Sequence, residues 1–441
     1  MGKLGTRFKE ISSRISARFN DYISQSKLSN GISVSTQKRF TSDQIDFSVC
    51  IGSGSFDDPL DKEGIAHFLE HVIVMQDGAQ RKFEERGGYV GASTSANFIE
   101  ISGHIQNSSE NLAFVTNFLK QALTDEIEEN IFAREQKRIR NEVNARNDRA
   151  EFVSAQILKH AFDTKRFYAN IGGTSEQVQT YTVDDVNAYK HTWMCGDNIH
   201  IAMTGALSHA DLHDALENVL GCLPQHLEQP RQQHQFRPVR HGEDPGHVNQ
   251  LYFSFAFPEK LISVDNQYVA QLSARVLNNA LRDKLIYEDG DAYETSNFHL
   301  GYSNRDGLAI ISGDCLPEDG GKIVTSIRNI LAEQGTGNIE PHLLKRAQSK
   351  LLNDVRAWEY PITGGAHSPS GMTQKMADFG FISSVHEDKK RVEAVTMQDV
   401  RGHLQSVLSQ IPAIITYGDS AKFDESLPDF YSKLYPEHEL S

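Results

Sequence analysis

Residues 64–75, GIAHFLEHVIVM, decide the fold because two patterns overlap on them. Their apolar side chains recur with the i, i+3, i+4, i+7 spacing of an amphipathic helix. The apolar positions are Ile65, Phe68, Leu69 and Val72. Beside this stripe, His67, Glu70 and His71 have the i, i+3, i+4 spacing that places side chains on one helix face. The stretch therefore predicts a helix that packs on a core and carries three polar side chains beside its apolar stripe.

His67 and His71 are suited to binding one divalent cation, because neutral imidazoles one helical turn apart can share an ion. Zinc in this role lowers the pKa of a bound water and polarises a peptide carbonyl. Glu70 can take the proton from that water and pass it to the leaving amine. This HxxEH order is typical of inverted zincins. The alternative is an accidental match on a surface helix, which would set three polar groups beside the core without purpose.

A third zinc ligand is needed, and carboxylates on a later helix supply the candidates. Residues 131–148 have a helical pattern in which Glu135 and Glu142 share a face, two turns apart. We predict that Glu142 binds the metal and that Glu135 orients the site. A solvated helix face is an equal alternative for Glu135. The neighbouring acidic residues, which we treat as decoys, are Glu126, Glu128 and Glu129.

Strand and helix patterns alternate through the first half of the chain. Residues 28–34 place an Asn-Gly turn between two short apolar stretches, which is a strong hairpin signal. The strands predicted after it cover residues 45–51, 87–102 and 200–204. The helices predicted between them begin near residue 62 and cover residues 107–150 and 208–223.

The second half repeats this order of elements after a polar stretch. Residues 225–247 contain three prolines, and we interpret them as a linker. The elements predicted after it are a strand at 251–257, a helix at 266–286, a hairpin at 293–315 and a strand at 413–417. The sequence therefore predicts two tandem, similar α+β domains at residues 26–224 and 248–441, with antiparallel-rich sheets covered by helices.

Composition excludes several classes of function. The net charge of −15 argues against a nucleic-acid partner, and no apolar run has the length of a membrane span. The four cysteines lie far apart without a CxxC pair, which favours reduced thiols in the cytoplasm. Residues 1–25 form an Arg/Ser-rich amphipathic extension, with Ile23 at helical spacing, and we expect a terminal helix there. An organelle-targeting segment is the alternative. Isolated histidines, including His160, are assigned no role.

At these motifs the chain resembles the pitrilysin/insulinase family of zinc metallopeptidases, which includes the mitochondrial processing peptidases. The resemblance runs along most of the chain in the family's order of motifs. The segments that carry it are residues 28–34, 64–71, 87–94, 134–142 and 173–186. It implies the LuxS/mitochondrial-processing-peptidase-like metallohydrolase fold, with one zinc ion per chain. It also implies that His67, His71 and Glu142 are the zinc ligands and that Glu70 is the catalytic base.

The resemblance further implies how a peptide is held. The family binds extended peptides by strand addition to the edge strand after its Gly-Gly pair. The corresponding backbone groups belong to Gly91, Ala92, Ser93 and Thr94. The family has Asn where this chain has Gly91, so one side-chain amide is missing.

In the second domain, the family has an Arg and, seven residues later, a Tyr that reach the substrate. Here Arg282 and Tyr293 lie farther apart because the intervening loop is longer. The resemblance implies that both residues donate hydrogen bonds near the scissile carbonyl. The alternatives are a cation at a helix end and a strand residue.

The resemblance implies that a chain of 441 residues supplies one half of a chamber, completed by a homodimer or by a heterodimer with a related subunit. We predict a zinc-dependent endopeptidase that hydrolyses short or unstructured peptides. The alternative is a catalytically silent peptide-binding or scaffold subunit that supports an active partner. The chain retains both histidines and the glutamate of the HxxEH motif as well as the distal Glu142, and this favours activity. General degradation and dedicated precursor processing both stay open, because the same fold and metal site serve either.

Overall fold

The computed structural model describes residues 23–39, 42–59, 61–146, 160–161, 171–226, 235–259, 263, 266–302, 305–357 and 368–437. Two compact units divide these residues. The first unit takes its described residues from Met1–Asp148, Asn170–Gln232 and Val355–Asp388. The second takes them from Arg149–Ala169, Gln233–Asp354 and Lys389–Ser441. The domain boundaries at residues 26–224 and 248–441 stay a prediction.

The first unit contains a six-stranded sheet. Its strands are β1 (Ile23–Lys27), β2 (Ser33–Lys38), β3 (Gln44–Ile51), β4 (Tyr89–Thr94), β5 (Ile99–Gln106) and β6 (Ile199–Gly205). The spatial order is β1-β2-β6-β3-β5-β4, which leaves β4 at one edge. Neighbouring strands are antiparallel except for β2 and β6.

The predicted Asn-Gly hairpin joins β1 and β2. Gly31 adopts a φ of 97°, a left-handed conformation that glycine enters without steric cost. The helix predicted for residues 1–25 is wrong at its end, because Ile23 begins a strand instead. The rest of that prediction, residues 1–22, lies outside the described residues.

Two long elements predicted for this unit are each interrupted. The single strand predicted at residues 87–102 is wrong, because a turn separates β4 from β5. The backbone N–H groups of Asn97 and Phe98 donate to the Ser95 hydroxyl in that turn. The stretch predicted as helical at residues 107–150 contains two helices in the described residues, with a break between Thr124 and Glu129. Hydrogen bonds such as those to the Ser95 hydroxyl form turns without changing the hydrophobic periodicity of the sequence. The turn between β4 and β5 could therefore not be predicted from that periodicity.

Helices cover both faces of the first sheet. They are α1 (Ile65–Met75), α2 (Ala79–Glu85), α3 (Ser109–Thr124), α4 (Glu129–Arg146), α5 (Ser175–Thr180), α6 (Val183–Trp193), α7 (His209–Leu220) and α11 (Pro369–Phe379). Helix α1 packs on β4 and β5, and α11 packs on β3 and β6. The hydroxyls of Ser48 on β3 and Thr373 on α11 lie 3.1 Å apart in the buried contact. A segment far along the chain thus completes the first unit.

The second unit contains a five-stranded sheet. Its strands are β7 (Arg240–Glu243), β8 (Leu251–Glu259), β9 (Ala292–Tyr302), β10 (Arg305–Cys315) and β11 (Ala413–Tyr417). Their order is β7-β11-β8-β10-β9, with only the β7–β11 pair parallel. The remaining helices are α8 (Gln267–Arg282), α9 (Gly320–Gly335), α10 (Pro341–Ala357), α12 (Val385–Ala394), α13 (Met397–Leu408) and α14 (Ala421–Leu434). A π-helix, Asp283–Glu288, follows α8.

Each unit therefore combines a mostly antiparallel sheet with helices, which confirms the predicted α+β class. The stretch interpreted as a linker, residues 225–247, contains β7, so that interpretation is wrong for Arg240–Glu243. None of the helices within the described ranges has the length and apolarity that crossing a membrane requires.

Candidate active site

The N-terminus of α1 is fixed by a buried aspartate. The backbone N–H groups of Gly64 and Ala66 donate to the Asp58 carboxylate over 2.6 and 3.0 Å. Burial raises the pKa of Asp58 well above its usual range, although these two hydrogen bonds act in the opposite direction. Asp58 is assigned no role from the sequence alone. An aspartate shortly before a predicted helix was the signal that could have found it.

Two glycines allow a close backbone contact beside that N-terminus. Gly64 has a φ of 93°, and a Cβ added to it would lie 2.3 Å from the Gly172 carbonyl oxygen. Gly173 has a φ of 69°, and a Cβ there would lie 2.0 Å from the Glu63 carbonyl oxygen. Tyr181, on the same side, donates a hydrogen bond from its hydroxyl to the Glu63 carbonyl. The start of α1 is thus held against the segment before α5.

His67, His71 and Glu142 come together at one point. One ligand atom from each residue lies within 4.8 Å of the other two. The Nε2 atoms of His67 and His71 lie 3.7 and 3.3 Å from the two Glu142 carboxylate oxygens. Both histidines are buried, whereas the Glu142 side chain is 30% exposed. The structure therefore brings together the three residues that the sequence predicts as ligands.

The donor set suits zinc, which prefers imidazole nitrogen and carboxylate oxygen in a tetrahedral arrangement. Zinc bonds of about 2.0–2.1 Å place neighbouring ligand atoms about 3.3 Å apart in a tetrahedron. The distance from His71 Nε2 to one Glu142 oxygen, 3.3 Å, matches this value, and the distance from His67 Nε2 to the other oxygen, 3.7 Å, is somewhat longer. The imidazole planes of His67 and His71 are inclined by 72°, with ring centroids 4.7 Å apart. Inclined rings can direct their in-plane nitrogen lone pairs to one point.

Glu135 lies behind His71, on the side away from Glu142. Its Oε2 atom is 3.4 Å from His71 Nδ1, and the side chain is 1% exposed. Arg134 and Arg138 contact the same carboxylate at 2.9 and 3.6 Å. Burial acts to raise the pKa of Glu135, but the hydrogen bond with His71 and the two arginines outweigh it, and the pKa is lowered. A carboxylate accepting the Nδ1 proton leaves His71 Nε2 as the nitrogen that faces Glu142.

Glu70 faces the same point and is held from the neighbouring strand. Its Oε2 atom lies 3.9 Å from His67 Nε2. The Thr94 hydroxyl donates a hydrogen bond to this oxygen over 2.8 Å. Thr94 is the last residue of the edge strand β4. Sequence reasoning gave Thr94 a backbone role only, and a hydroxyl at a strand end carried no signal for this contact.

Gly91, Ala92, Ser93 and Thr94 all belong to β4, which is an edge strand of the sheet formed by the described residues. A Cβ added at Gly91 would lie 2.3 Å from the Tyr89 hydroxyl. That hydroxyl is the far end of a side chain that is 55% exposed. At Gly91, where the family has asparagine, the Tyr89 side chain thus occupies the space that an asparagine side chain would begin to fill. The substrate role of these four residues stays a prediction.

Arg282 and Tyr293 belong to the second unit. Arg282 ends α8, and its guanidinium donates a hydrogen bond to the Tyr287 hydroxyl over 3.2 Å. Tyr293 lies in β9, and its side chain is outside the described residues. The longer loop expected between Arg282 and Tyr293 is wrong for Asp283–Glu288, which form the π-helix, and Tyr287 in that helix is 69% exposed. Any contact of Arg282 or Tyr293 with substrate stays a prediction.

Comparison with known proteins places this site in a family. The family model described as "Insulinase (Peptidase family M16)" matches residues 33–175, which include all of the converging residues. A second model, "Peptidase M16 inactive domain", matches residues 180–351. The chain belongs to the pitrilysin/insulinase family of zinc peptidases.

Individual relatives agree with this assignment at low identity. The chain is 27% identical over 211 residues to the mitochondrial-processing peptidase subunit beta of Blastocladiella emersonii, covering 45% of this chain and 44% of that protein. It is 22% identical over 305 residues to an uncharacterized zinc protease of Bacillus subtilis, covering 64% of this chain and 72% of that protein. A protease structure from Helicobacter pylori is similar with a TM-score of 0.76 and 15% identity, over 90% of this chain and 99% of that chain. At that identity the structure supports the two-domain fold alone.

Proposed function

We propose that this protein is an active zinc-dependent endopeptidase. The observation that carries the proposal is the convergence of His67, His71 and Glu142 on one point, with Glu70 directed at the same place. A zinc ion held there would polarise a peptide carbonyl and make a water molecule more acidic. The family membership supports a peptidase of this general kind, and the zinc protease of Bacillus subtilis supports the choice of metal.

In this proposal Glu70 is the general base. Its carboxylate takes a proton from the attacking water and passes it to the nitrogen of the leaving amine. The hydrogen bond from Thr94 fixes one carboxylate oxygen, so the geometry for proton transfer exists before substrate binds. Glu135 holds His71 in the orientation described above, and it acts through that histidine rather than on the substrate.

The edge strand β4 is the proposed binding surface for extended peptides. The outward backbone groups of this strand, which no other described strand pairs, can add a substrate strand, and its last residue contacts Glu70. A peptide aligned along β4 would therefore pass beside the base. Recognition through backbone groups favours unstructured substrates, because a folded segment has already paired these groups within itself.

We further propose that the working form is a dimer, with a second copy or with a related subunit. The Blastocladiella emersonii relative is a subunit by its name, and that name supports a partner for this chain. The cytoplasmic location expected from the cysteine spacing is part of the same proposal. The mass of the purified protein in solution tests the dimer, and an active monomer of 49.4 kDa would contradict it.

The second candidate function is a catalytically silent subunit that binds peptides for an active partner. The match of residues 180–351 to a domain described as inactive favours this alternative. The converging residues lie outside that match, in the segment that matches the insulinase model. Because a silent subunit has no need of Glu70 beside a complete metal-binding set, we favour activity.

The test compares wild type with Glu70→Gln on a mixed peptide library, read by mass spectrometry with and without a chelator. Wild type should cleave, the chelator should stop cleavage, and the variant should not cleave while retaining one zinc at the His67 site. Glu142→Gln should lose both the zinc and the activity. A wild-type protein that binds zinc and cleaves nothing would favour the silent subunit, and full activity in Glu70→Gln would contradict the role of the base.

A further inference from the structure

A second group of metal-type ligands lies in the second unit and shares no residue with the group formed by His67, His71 and Glu142. His160, His241 and Glu243 each offer one ligand atom, and these atoms lie within 4.8 Å of one another. All three side chains are partly buried. We propose that they form a second zinc-binding site. This inference goes beyond the proposed peptidase function and does not depend on it.

Strand geometry explains why His241 and Glu243 meet. They are two residues apart on β7, so their side chains point to the same face of the sheet. Arg240 points to the opposite face, where its guanidinium lies over the Phe423 ring and contacts Asp424. The Nε2 atom of His241 is 3.1 Å from the Glu243 Oε1 atom, close to the separation of about 3.3 Å between ligand atoms of a tetrahedral zinc ion.

The third proposed ligand, His160, is positioned by its neighbour Ala161. Ala161 is fully buried in a small apolar cluster that includes Ile415, the register partner of His241 on β11. Its carbonyl accepts a hydrogen bond from the Arg237 N–H over 2.7 Å. These contacts place His160 over the face of β7 that carries His241. A metal here would fasten residues 160–161 to the edge of the five-stranded sheet.

The ring geometry predicts a weaker site than the first. The imidazoles of His160 and His241 are stacked, with centroids 3.7 Å apart and planes inclined by 18°. Nitrogen lone pairs lie in the ring plane, so nearly parallel rings must tilt before both can reach one ion. The inclined rings of His67 and His71 need less rearrangement. We therefore expect the second ion to bind with at least tenfold lower affinity.

The chain offers a matched control. His342 and Glu340 also form a histidine–carboxylate pair two residues apart, with 2.8 Å between Nδ1 and the carboxylate oxygen. Both side chains are more than half exposed, and neither belongs to a metal-type group within the described residues. His342→Ala thus removes a similar pair without touching the proposed site.

The experiment titrates metal-stripped full-length protein with Zn²⁺ against a chromophoric zinc indicator. Wild type should bind two ions per chain with separable affinities. His241→Ala and Glu243→Gln should each remove the weaker step or weaken it at least tenfold, whereas His342→Ala should retain both steps. Glu142→Gln should remove the tighter step alone, which keeps the two sites distinguishable. A wild-type stoichiometry of one, an unchanged two-step titration in both β7 variants, or an equal loss in His342→Ala would overturn the proposal.

Discussion

The Thr94 hydroxyl donates a hydrogen bond to the Glu70 carboxylate over 2.8 Å, and this contact joins the edge strand of the first sheet to the proposed base. Helix α1 packs against strand β4 in the first unit. Glu70 belongs to the helix and Thr94 to the strand. The surface proposed to align the peptide is thereby coupled to the group proposed to move the proton.

Thr94→Val tests this coupling because valine keeps the shape of threonine but cannot donate a hydrogen bond. A hydrogen bond to a charged group contributes about 1.5–3 kcal/mol, so kcat should fall by about tenfold or more. The zinc content should stay at the wild-type value, because Thr94 is not among the converging ligands. Thr94→Ser, which retains the hydroxyl, is the control. Equal kcat in the valine and serine variants would show that the contact has no role in the reaction.

The Glu135 carboxylate supports His71, and its removal should weaken zinc binding without abolishing it. Glu135→Gln keeps an acceptor for the Nδ1 proton but loses the charge that Arg134 and Arg138 stabilise. Loss of such a supporting carboxylate typically weakens metal affinity by about 10–100-fold. Competition with a chelator of known zinc affinity measures the change.

Glu129→Gln provides the comparison for that experiment. Glu129 begins the same helix and is exposed, so its substitution should leave zinc affinity unchanged. If the two variants bind zinc equally well, Glu135 is an ordinary buried acid with arginine partners, and its support of His71 is not needed.

The core of the fold could be predicted from sequence where the signal is local. The Asn-Gly hairpin, the helix bearing His67 and the strand at Ala413–Tyr417 each follow from neighbouring residues. Hydrophobic periodicity and turn chemistry encode such elements directly. The pairing of Glu142 with the two histidines needed the added constraint that zinc requires a third ligand.

The parts that could not be predicted depend on contacts between distant segments. Asp58 is recognisable as a cap only once the start of α1 is known, and the contact of Ser48 with Thr373 joins residues from opposite ends of the chain. His160 and His241 look like isolated histidines in the sequence because nothing local brings them together. Periodicity carries no information on such tertiary pairings.

The close contact at Gly173 makes a prediction about stability. Alanine there faces two penalties: a φ of 69° and a Cβ placed 2.0 Å from the Glu63 carbonyl oxygen. Gly78 has a nearly equal φ of 66° but nothing within 4 Å of an added Cβ. Gly78→Ala should therefore cost only the left-handed strain of about 1–2 kcal/mol.

Gly173→Ala should lower the free energy of unfolding by about 1–3 kcal/mol more than that, because backbone must move to admit the methyl group. Urea unfolding of the two variants gives the difference. The Gly173→Ala substitution should also reduce zinc affinity, because the contact between Gly173 and Glu63 fixes the start of the helix that carries His67 and His71. Equal stabilities would mean that the two backbone segments separate without cost.

Lys190 on α6 makes the stability of the first unit depend on pH in the alkaline range. Its side chain is 1% exposed, and its ammonium donates a hydrogen bond to the Asp125 carbonyl. Burial lowers the pKa of Lys190 to about 8, although the carboxylates of Asp125 and Glu126 act to raise it. The ordinary lysine pKa of 10.5 applies to the unfolded chain. Between these two values the unfolded state binds more protons than the folded state, so stability rises with pH.

The cost of the buried charge is thus present in full below pH 8, shrinks as the pH rises from the folded pKa toward the unfolded pKa, and is gone above pH 10.5. From pH 7 to pH 9.5, this one group should add about 2 kcal/mol to the free energy of unfolding. Urea unfolding at both pH values measures the change, and Lys190→Met should lack it. Lys120→Met, at an exposed position on α3, should show the same pH dependence as wild type. An identical pH dependence in Lys190→Met would mean that Lys190 titrates in the folded protein as it does in the unfolded chain.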